Sequence, residues 1–455
     1  MKQQIVHFIG IGGSGMSGIA RVLLEQGQEV SGSDLIQTGT IEQLRQLGAK
    51  ITIGHDPANL AEATTVVYSS DVPSDNVELM AARSEGRRVL HRSEMLAELM
   101  ATKKSITVAG AHGKTTTASM LAWVLEQNDL EPSYVVGSEI TNLGVNAHAG
   151  AGEYFVAEAD ESDGSFLNYR PYISVITNIE PDHLENYDAD FNKLLAAYEQ
   201  YLQQVNPDGM TVICYDDANL RKLLGKIPGN VLTYGLSPEA DYYATNIVYV
   251  GNTTSFAVFS KKDGIIGGLK LNLPGNHNVL NALATLTVAL HLGIHADHVE
   301  YPLAKFVGAK RRFQHKGTIN NITIIDDYGH HPTEIAATIA SAKQVGGRII
   351  VAFKPLRYSR TYFFLEEFGK AFAGADQVLV TEIHSPAGDS MRDKVNAKKL
   401  AEVIKKGGQD VHYFATTAEL IDYLATVVVP GDLVITQGAG DIWTVGEKLL
   451  LRLDH

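Results

Sequence analysis

The chain has 455 residues, 45% of them hydrophobic, and a formal net charge of -14. That length supports about three domains of ordinary size, and the acidic balance argues against nonspecific nucleic-acid binding while leaving an anionic small molecule open to a few local cations. Cys214 is the only cysteine, which excludes an internal disulfide and a cysteine-built zinc site and fits a reducing cytoplasm; no apolar run approaches the ~18 residues of a membrane span.

In chain order, the first block opens with a strand, a glycine turn and a helix: Gln4-Ile-Val-His-Phe-Ile-Gly10 runs into Ile11-Gly12-Gly13-Ser14-Gly15-Met16. The run from Ile5 to Ile11 passes into glycines instead of a signal-peptide cleavage site. A second strand, Glu29 to Ser33, ends at Asp34, which gives the layout of a Rossmann-like unit with pyrophosphate at the helix N-terminus and an acid in reach of a ribose. The turn suits a nicotinamide dinucleotide and any other nucleoside diphosphate. A further strand, Thr64 to Ser70, sets Ser69 and Ser70 at a carboxyl edge, where such sheets bind ligands.

The second block begins near Lys103. Ser105-Ile-Thr-Val-Ala-Gly110-Ala-His112-Gly113-Lys114-Thr115-Thr116-Thr117 reads as a phosphate cradle, a strand entering a glycine-bounded turn and then a helix. Gly110 and Gly113 let the backbone approach oxyanions, Lys114 reaches terminal phosphates, and Thr115 reaches magnesium. With Val108 in place, the loop is two residues shorter than the common P-loop. Strands at Tyr154 to Ala157 and Ile173 to Thr177 end in Glu158-Ala-Asp160-Glu161-Ser-Asp163 and Asn178-Ile-Glu180-Pro-Asp182-His183, two acidic clusters expected beside the cradle. Pro274-Gly-Asn276-His277-Asn278-Val-Leu-Asn281 opens an alanine-rich helix whose side chains suit a purine edge or a plain helix cap.

The third block starts around Arg311-Arg312-Phe313. Strands at Ile322 to Ile325, Arg348 to Phe353, Gln377 to Thr381 and Leu433 to Gln437 alternate with helices, which predicts a second doubly wound sheet. Its turns include Asp326-Asp327-Tyr328-Gly-His330-His331-Pro-Thr-Glu334 and Lys354-Pro-Leu-Arg357-Tyr-Ser-Arg360. Arg357 and Arg360 lie three apart, forming either a carboxylate clamp on a helical turn or a pair of surface arginines.

In this order the motifs closely resemble the Mur ligases of peptidoglycan synthesis, and most of all their alanine-adding branch; the resemblance covers essentially the whole chain. It implies an α/β fold in three domains: a Rossmann-like UDP-sugar domain over 1–102, a P-loop ATP domain over 103–308, and a Rossmann-like amino-acid domain over 309–455. It implies ATP and Mg2+, with Mn2+ as a substitute, and UDP-N-acetylmuramate and L-alanine as substrates for a cytoplasmic monomer or homodimer that binds neither nucleic acid nor membrane. Gly12, Gly13, Ser14, Gly15, Met16, Asp34, Ser69 and Ser70 then belong to the UDP-sugar. Gly110, His112, Gly113, Lys114, Thr115, Thr116, Asn276, His277, Asn281 and Arg312 belong to the nucleotide, and Thr115, Glu158 and His183 to the metal. Lys114, His330, Arg357 and Arg360 carry catalysis, the last three with Tyr328 facing the muramoyl carboxylate and the alanine. Charge and spacing alone favour Glu180 or Asp182 over His183 as a magnesium ligand.

Two departures stand out. Lys354-Pro-Leu356 replaces a common Gln-Pro-His, and Tyr198 stands where later-acting relatives carry a carbamylated lysine, which is consistent with the alanine-adding branch. Relatives that attach a ready-made tripeptide are the nearest alternative. A nicotinamide-dependent dehydrogenase and a nonenzymatic ATP switch are the readings from other classes; the dehydrogenase leaves the cradle and its acidic clusters unexplained.

Overall fold

The computed structural model describes residues 5–385, 389 and 391–454. The first sheet is parallel throughout, with strands in the order Lys50–Ile53, Glu29–Asp34, Ile5–Ile9, Thr65–Tyr68, Arg88–His91. Chain order reverses between Ile5–Ile9 and Thr65–Tyr68. Strands diverging in this way leave a crevice at their carboxyl ends, and both the glycine turn and Ser69 follow those two strands. The helix Ser14–Glu25 covers the sheet with a buried stripe of Met16, Ile19, Ala20 and Leu23, the spacing of one helical face.

The central sheet has ten strands in the order Gly264–Leu271, Thr253–Ser260, Tyr242–Val250, Asn230–Gly235, Met210–Cys214, Ile173–Ile176, Lys104–Ala109, Tyr154–Glu158, Ser133–Ile140, Val145–His148. From Asn230–Gly235 to Ser133–Ile140 neighbouring strands are parallel, and Val145–His148 closes the edge antiparallel. Lys104–Ala109 lies between Ile173–Ile176 and Tyr154–Glu158, so the loop leaving it is flanked by the loops that carry the two acidic clusters. Buried on both faces, these strands read as continuous apolar runs, which made them visible in the sequence. The hairpin Ser133–Ile140/Val145–His148 and the strands over 242–271 carry glycine and polar residues, and sequence pattern did not find them.

The third sheet runs Gln314–Ile319, Ile322–Asp327, Leu433–Gly438, Ile349–Lys354, Gln377–Val380, Val411–Tyr413, parallel except for its first strand. Alternate residues face opposite cores. Ile325, Val351 and Ile435 pack with Phe368 and Leu400, while Ile324, Ile350 and Val434 pack with Leu420 and Leu449. By its packing the chain forms two units: Met1–Thr245 with Ala257–Leu269 and Leu280–Phe306, and Asn246–Phe256 with Lys270–Val279 and Val307–His455. Among the described residues no helix is long and apolar enough to cross a membrane.

Candidate active site

The glycine turn is held from below by the neighbouring strand. Gly10 and Ile11 donate their N–H groups to the Ser33 carbonyl at 2.8 and 3.0 Å, and the Gly12 N–H donates to Asp34 Oδ2 at 2.8 Å. A Cβ on Gly12 would stand 2.9 Å from that oxygen, so glycine is required there by close approach. Asp34 thus braces the turn, whereas the sequence had suggested only a ribose contact. Gly13, the residue before the helix Ser14–Glu25, supplies no side-chain cap, which leaves the first N–H groups open to an anion. A cavity of about 250 Å³ opens on this turn, lined by Gly13 to Met16 and Ser69 and, from the central region, by Glu158 and Asp160. Ser70 Oγ donates to Asp163 Oδ2 at 2.5 Å, a contact 93 positions apart in the chain.

The phosphate cradle is similarly braced. Gly110 and Gly113 take φ of +130° and +83°. A Cβ on Gly110 would meet Thr177 Oγ1 at 2.1 Å. Thr177 Oγ1 and Asn178 Nδ2 donate to the His112 carbonyl at 2.6 and 3.0 Å, and the His112 N–H donates to Asn178 Oδ1 at 2.9 Å. Part of the second acidic cluster therefore shapes the loop: Asn178 holds its backbone, and Glu180 Oε2 lies 3.2 Å from His112 Nε2. Asn281 does likewise from its helix, accepting the Thr117 hydroxyl at 3.1 Å beneath Gly113. Thr116 is buried in the first turn of the cradle helix Lys114–Glu126.

Lys114 Nζ donates to the Gly110 carbonyl at 2.6 Å and to both oxygens of the buried Glu161 at 3.0 and 2.8 Å. Burial works against the Lys114 charge, and the carboxylates of Glu161, Asp160 and Glu158 outweigh it, holding the ammonium above the usual lysine range. The sequence alone assigns Glu161 no role. Its signal was its place between two acids at the end of a buried strand. Thr115 Oγ1 donates to Glu158 Oε2 at 3.1 Å, and the Gly137 N–H donates to the other oxygen. These are adjacent hard oxygen donors, the kind magnesium takes. His183, at φ +55°, turns back on Asp182, whose Oδ2 lies 3.5 Å from its Nε2. Tyr198 is buried edge-on against Phe166, so no amine stands at that position.

In the other unit, Tyr328 lies under the guanidinium groups of Arg311 and Arg312, 5.0 and 5.6 Å from its ring centre, and Arg312 Nη1 is 3.7 Å from Glu334 Oε1. His330 sits edge-on to Tyr328, with Nδ1 3.0 Å from the Tyr328 carbonyl, and its N–H donates to Glu334 Oε2 at 2.8 Å. Asp326 and Asp327 are structural: one accepts from Arg311 Nε at 3.1 Å and the other from the Phe313 and Gly329 N–H groups at 2.8 and 2.7 Å. Arg357 has φ +65°, ψ +135°, strained for a residue with a Cβ, and stands at the start of the helix Tyr358–Phe363 with its N–H on the His384 carbonyl at 2.7 Å. Arg360 lies in that helix and is buried, which rules out a pair of surface arginines. The departure at Lys354-Pro-Leu356 is accommodated locally. Lys354 Nζ pairs with Asp441 Oδ1 at 2.5 Å, and Leu356 bridges to His384. Asn276 and His277 are exposed, and the Tyr249 hydroxyl donates to Asn276 Oδ1.

Three family models match: "Mur ligase family, catalytic domain" over residues 5–104, "Mur ligase middle domain" over 108–289, and "Mur ligase, glutamate ligase domain" over 311–440. UDP-N-acetylmuramate–L-alanine ligases of Pelotomaculum thermopropionicum and Geotalea uraniireducens are each 47% identical, the matches covering 99% of this chain and 98% of those proteins. Among solved structures, UDP-N-acetylmuramate-alanine ligase from Thermotoga maritima superposes with a TM-score of 0.85 at 30% identity, covering 99% of both chains. A murein peptide ligase from Psychrobacter arcticus superposes at 0.72 and 25% identity, covering 99% of this chain and 98% of that one. The chain belongs to the Mur ligase family.

Proposed function

We propose that this chain joins L-alanine to the lactyl carboxylate of UDP-N-acetylmuramate, converting ATP to ADP and phosphate. The observation that carries the reading is that, within one unit, the cavity opening on the glycine turn is lined at its central end by Glu158, which accepts a hydrogen bond from Thr115 of the phosphate cradle. Near-full-length identity to alanine-adding relatives supports the amino acid, and the higher superposition on the alanine ligase favours it over tripeptide attachment. The functional division into 1–102, 103–308 and 309–455 is supported by the spans of the three family models.

The carboxylate attacks the γ-phosphorus, ADP leaves, and the resulting acyl phosphate is captured by the alanine amine with release of phosphate. The protein needs no nucleophile, so its work is to position and to neutralise charge. The open N–H groups of the glycine turn hold the diphosphate, and those of Gly113 to Thr115 hold the ATP phosphates. Lys114 exchanges Glu161 and the Gly110 carbonyl for phosphate oxygens. Thr115 and Glu158, with His183, are the residues that would hold magnesium, which when bound shields phosphate charge. Arg357 and Arg360 orient the alanine carboxylate so that the amine faces the acyl carbon. His330 is the candidate acceptor of the amine proton. A cytoplasmic setting is supported by the single, buried thiol of Cys214.

The test is phosphate release from ATP with UDP-N-acetylmuramate, assayed with each amino acid and with a free tripeptide whose α-amine is open to acylation. Release that requires L-alanine bears the reading out. Release driven by the tripeptide and not by alanine moves the chain to the peptide-attaching relatives.

A further inference from the structure

Arg92 opens the helix Arg92–Met100 and lines the same cavity as the glycine turn. A cation in a helix's first turn opposes the helix dipole, so local structure gives no reason for it. Its neighbours do not explain it either. The guanidinium carries five N–H donors, yet among the described residues its partners are Asp160 Oδ2 and Asp163 Oδ2 at 3.7 and 3.6 Å, beyond good hydrogen-bond distance. Asp163 is in addition fixed by Ser70, so these two carboxylates hold the arginine in place without saturating it. The side chain is 21% exposed. The cavity it faces is lined by three carboxylates, Asp71, Glu158 and Asp160, and Arg92 is the one cation among its lining residues. An anion entering here meets repulsion on three sides. The helix N-terminus at Ser14 offers it partial positive charge, and Arg92, with its Nη1 3.6 Å from where a Gly15 Cβ would lie, offers the full charge.

We propose that Arg92 is a substrate-binding residue whose guanidinium grips the diphosphate of the sugar nucleotide beside the glycine turn. Two faces of the diphosphate are then bound, one by backbone N–H groups and one by a planar fork that matches phosphate oxygens. This rests on the assignment of the glycine turn to the UDP-sugar. The lactyl end is thereby directed toward Glu158 and Lys114.

Calorimetric titration with UDP, UMP and a nonhydrolysable ATP analogue, on the full chain and on Arg92→Met and Arg92→Lys, tests it. Arg92→Met should weaken UDP roughly ten- to a hundredfold, UMP far less, and the ATP analogue hardly at all, with Arg92→Lys intermediate for UDP. Unchanged UDP affinity in both variants overturns the proposal, and so does an equal loss for the ATP analogue, which would make Arg92 a brace of the acidic cluster. If Arg92→Met does not fold, an Arg92→Lys variant with wild-type UDP affinity overturns it. Failure of the unaltered chain to bind UDP removes the glycine-turn assignment itself, and is distinguished by its appearing without any substitution.

Discussion

In the proposed reaction Lys114 carries the most direct role, its ammonium being tied to Glu161 and the Gly110 carbonyl at the mouth of a glycine cradle. Lys114→Ala should leave the fold intact and lower kcat more than a hundredfold, a barrier increase of at least about 3 kcal/mol; turnover within tenfold of wild type would contradict the role. Glu158 is tied to Thr115 through an oxygen pair suited to magnesium. Glu158→Gln keeps the shape and removes the charge, so the magnesium concentration for half-maximal activity should rise severalfold. An unchanged magnesium titration would place the metal elsewhere. Arg357, proposed to hold the alanine carboxylate, has a backbone conformation that glycine adopts more easily. Arg357→Gly relieves strain of about 1–3 kcal/mol against a glycine entropy cost of about 0.5–1 kcal/mol. Thermal stability should therefore hold or rise while kcat/KM for alanine falls at least tenfold, about 1.4 kcal/mol. A parallel loss of stability and activity would show that the arginine is a structural prop.

At the scale of elements, the glycine turn and the phosphate cradle are each a strand running into a glycine-bounded turn and a helix whose first N–H groups lack a side-chain cap. Gly110 shows how tightly one such turn is packed. At φ +130° any side chain is strained, and a Cβ would also meet Thr177 Oγ1 at 2.1 Å and the Asn178 carbonyl at 2.9 Å. Gly110→Ala should push the loop off Thr177 and Asn178 and lower ATP-analogue affinity at least tenfold, while leaving UDP binding near wild type, as calorimetry on the two ligands would show. Equal loss of both would mean that the whole unit had been disturbed. Glycines between an apolar strand and an amphipathic helix are a local signal, which is why both turns were legible in the sequence. The partners that hold them were not. Asn178 belongs to a segment that reads as metal chemistry, yet it braces the cradle loop 66 positions away. Asn281, read as a purine ligand, accepts the Thr117 hydroxyl on its amide oxygen. Arg92 carries no local motif at all; only the tertiary structure brings it to the cavity that Asp160 also lines, with Asp163 beside it.

For the molecule as a whole, the doubly wound layers could be read from apolar runs and their carboxyl-end loops, whereas buried polar networks between distant segments left no periodic trace. The clearest of these centres on Glu78, a carboxylate with no exposed surface in the first sheet's layer. Ser33 Oγ donates to its Oε2 at 2.6 Å, Asn59 Nδ2 and the Asp56 N–H donate to Oε1 at 2.7 and 3.1 Å, and His7 Nε2 lies 3.3 Å from Oε2. The same Ser33 holds the glycine turn through its carbonyl, so the network reaches that turn. Burial pushes the Glu78 carboxyl up, and the hydrogen bonds from His7, Ser33, Asn59 and Asp56 outweigh it, bringing it down to about 2. A carboxyl depressed in the folded state stabilises the fold fully above its unfolded value near 4.5 and loses that contribution as pH falls from there toward 2. The linked stability is on the order of 3 kcal/mol. Urea unfolding of the intact chain between pH 6 and pH 3, values chosen to span roughly that window, should therefore show stability falling with acid. Glu78→Gln should start lower at neutral pH, having lost the ionised acceptor, and should fall less steeply with acid because it has no proton to bind at that position. If the two pH profiles run parallel, another buried carboxylate governs the acid response and Glu78 is a neutral spacer in its network.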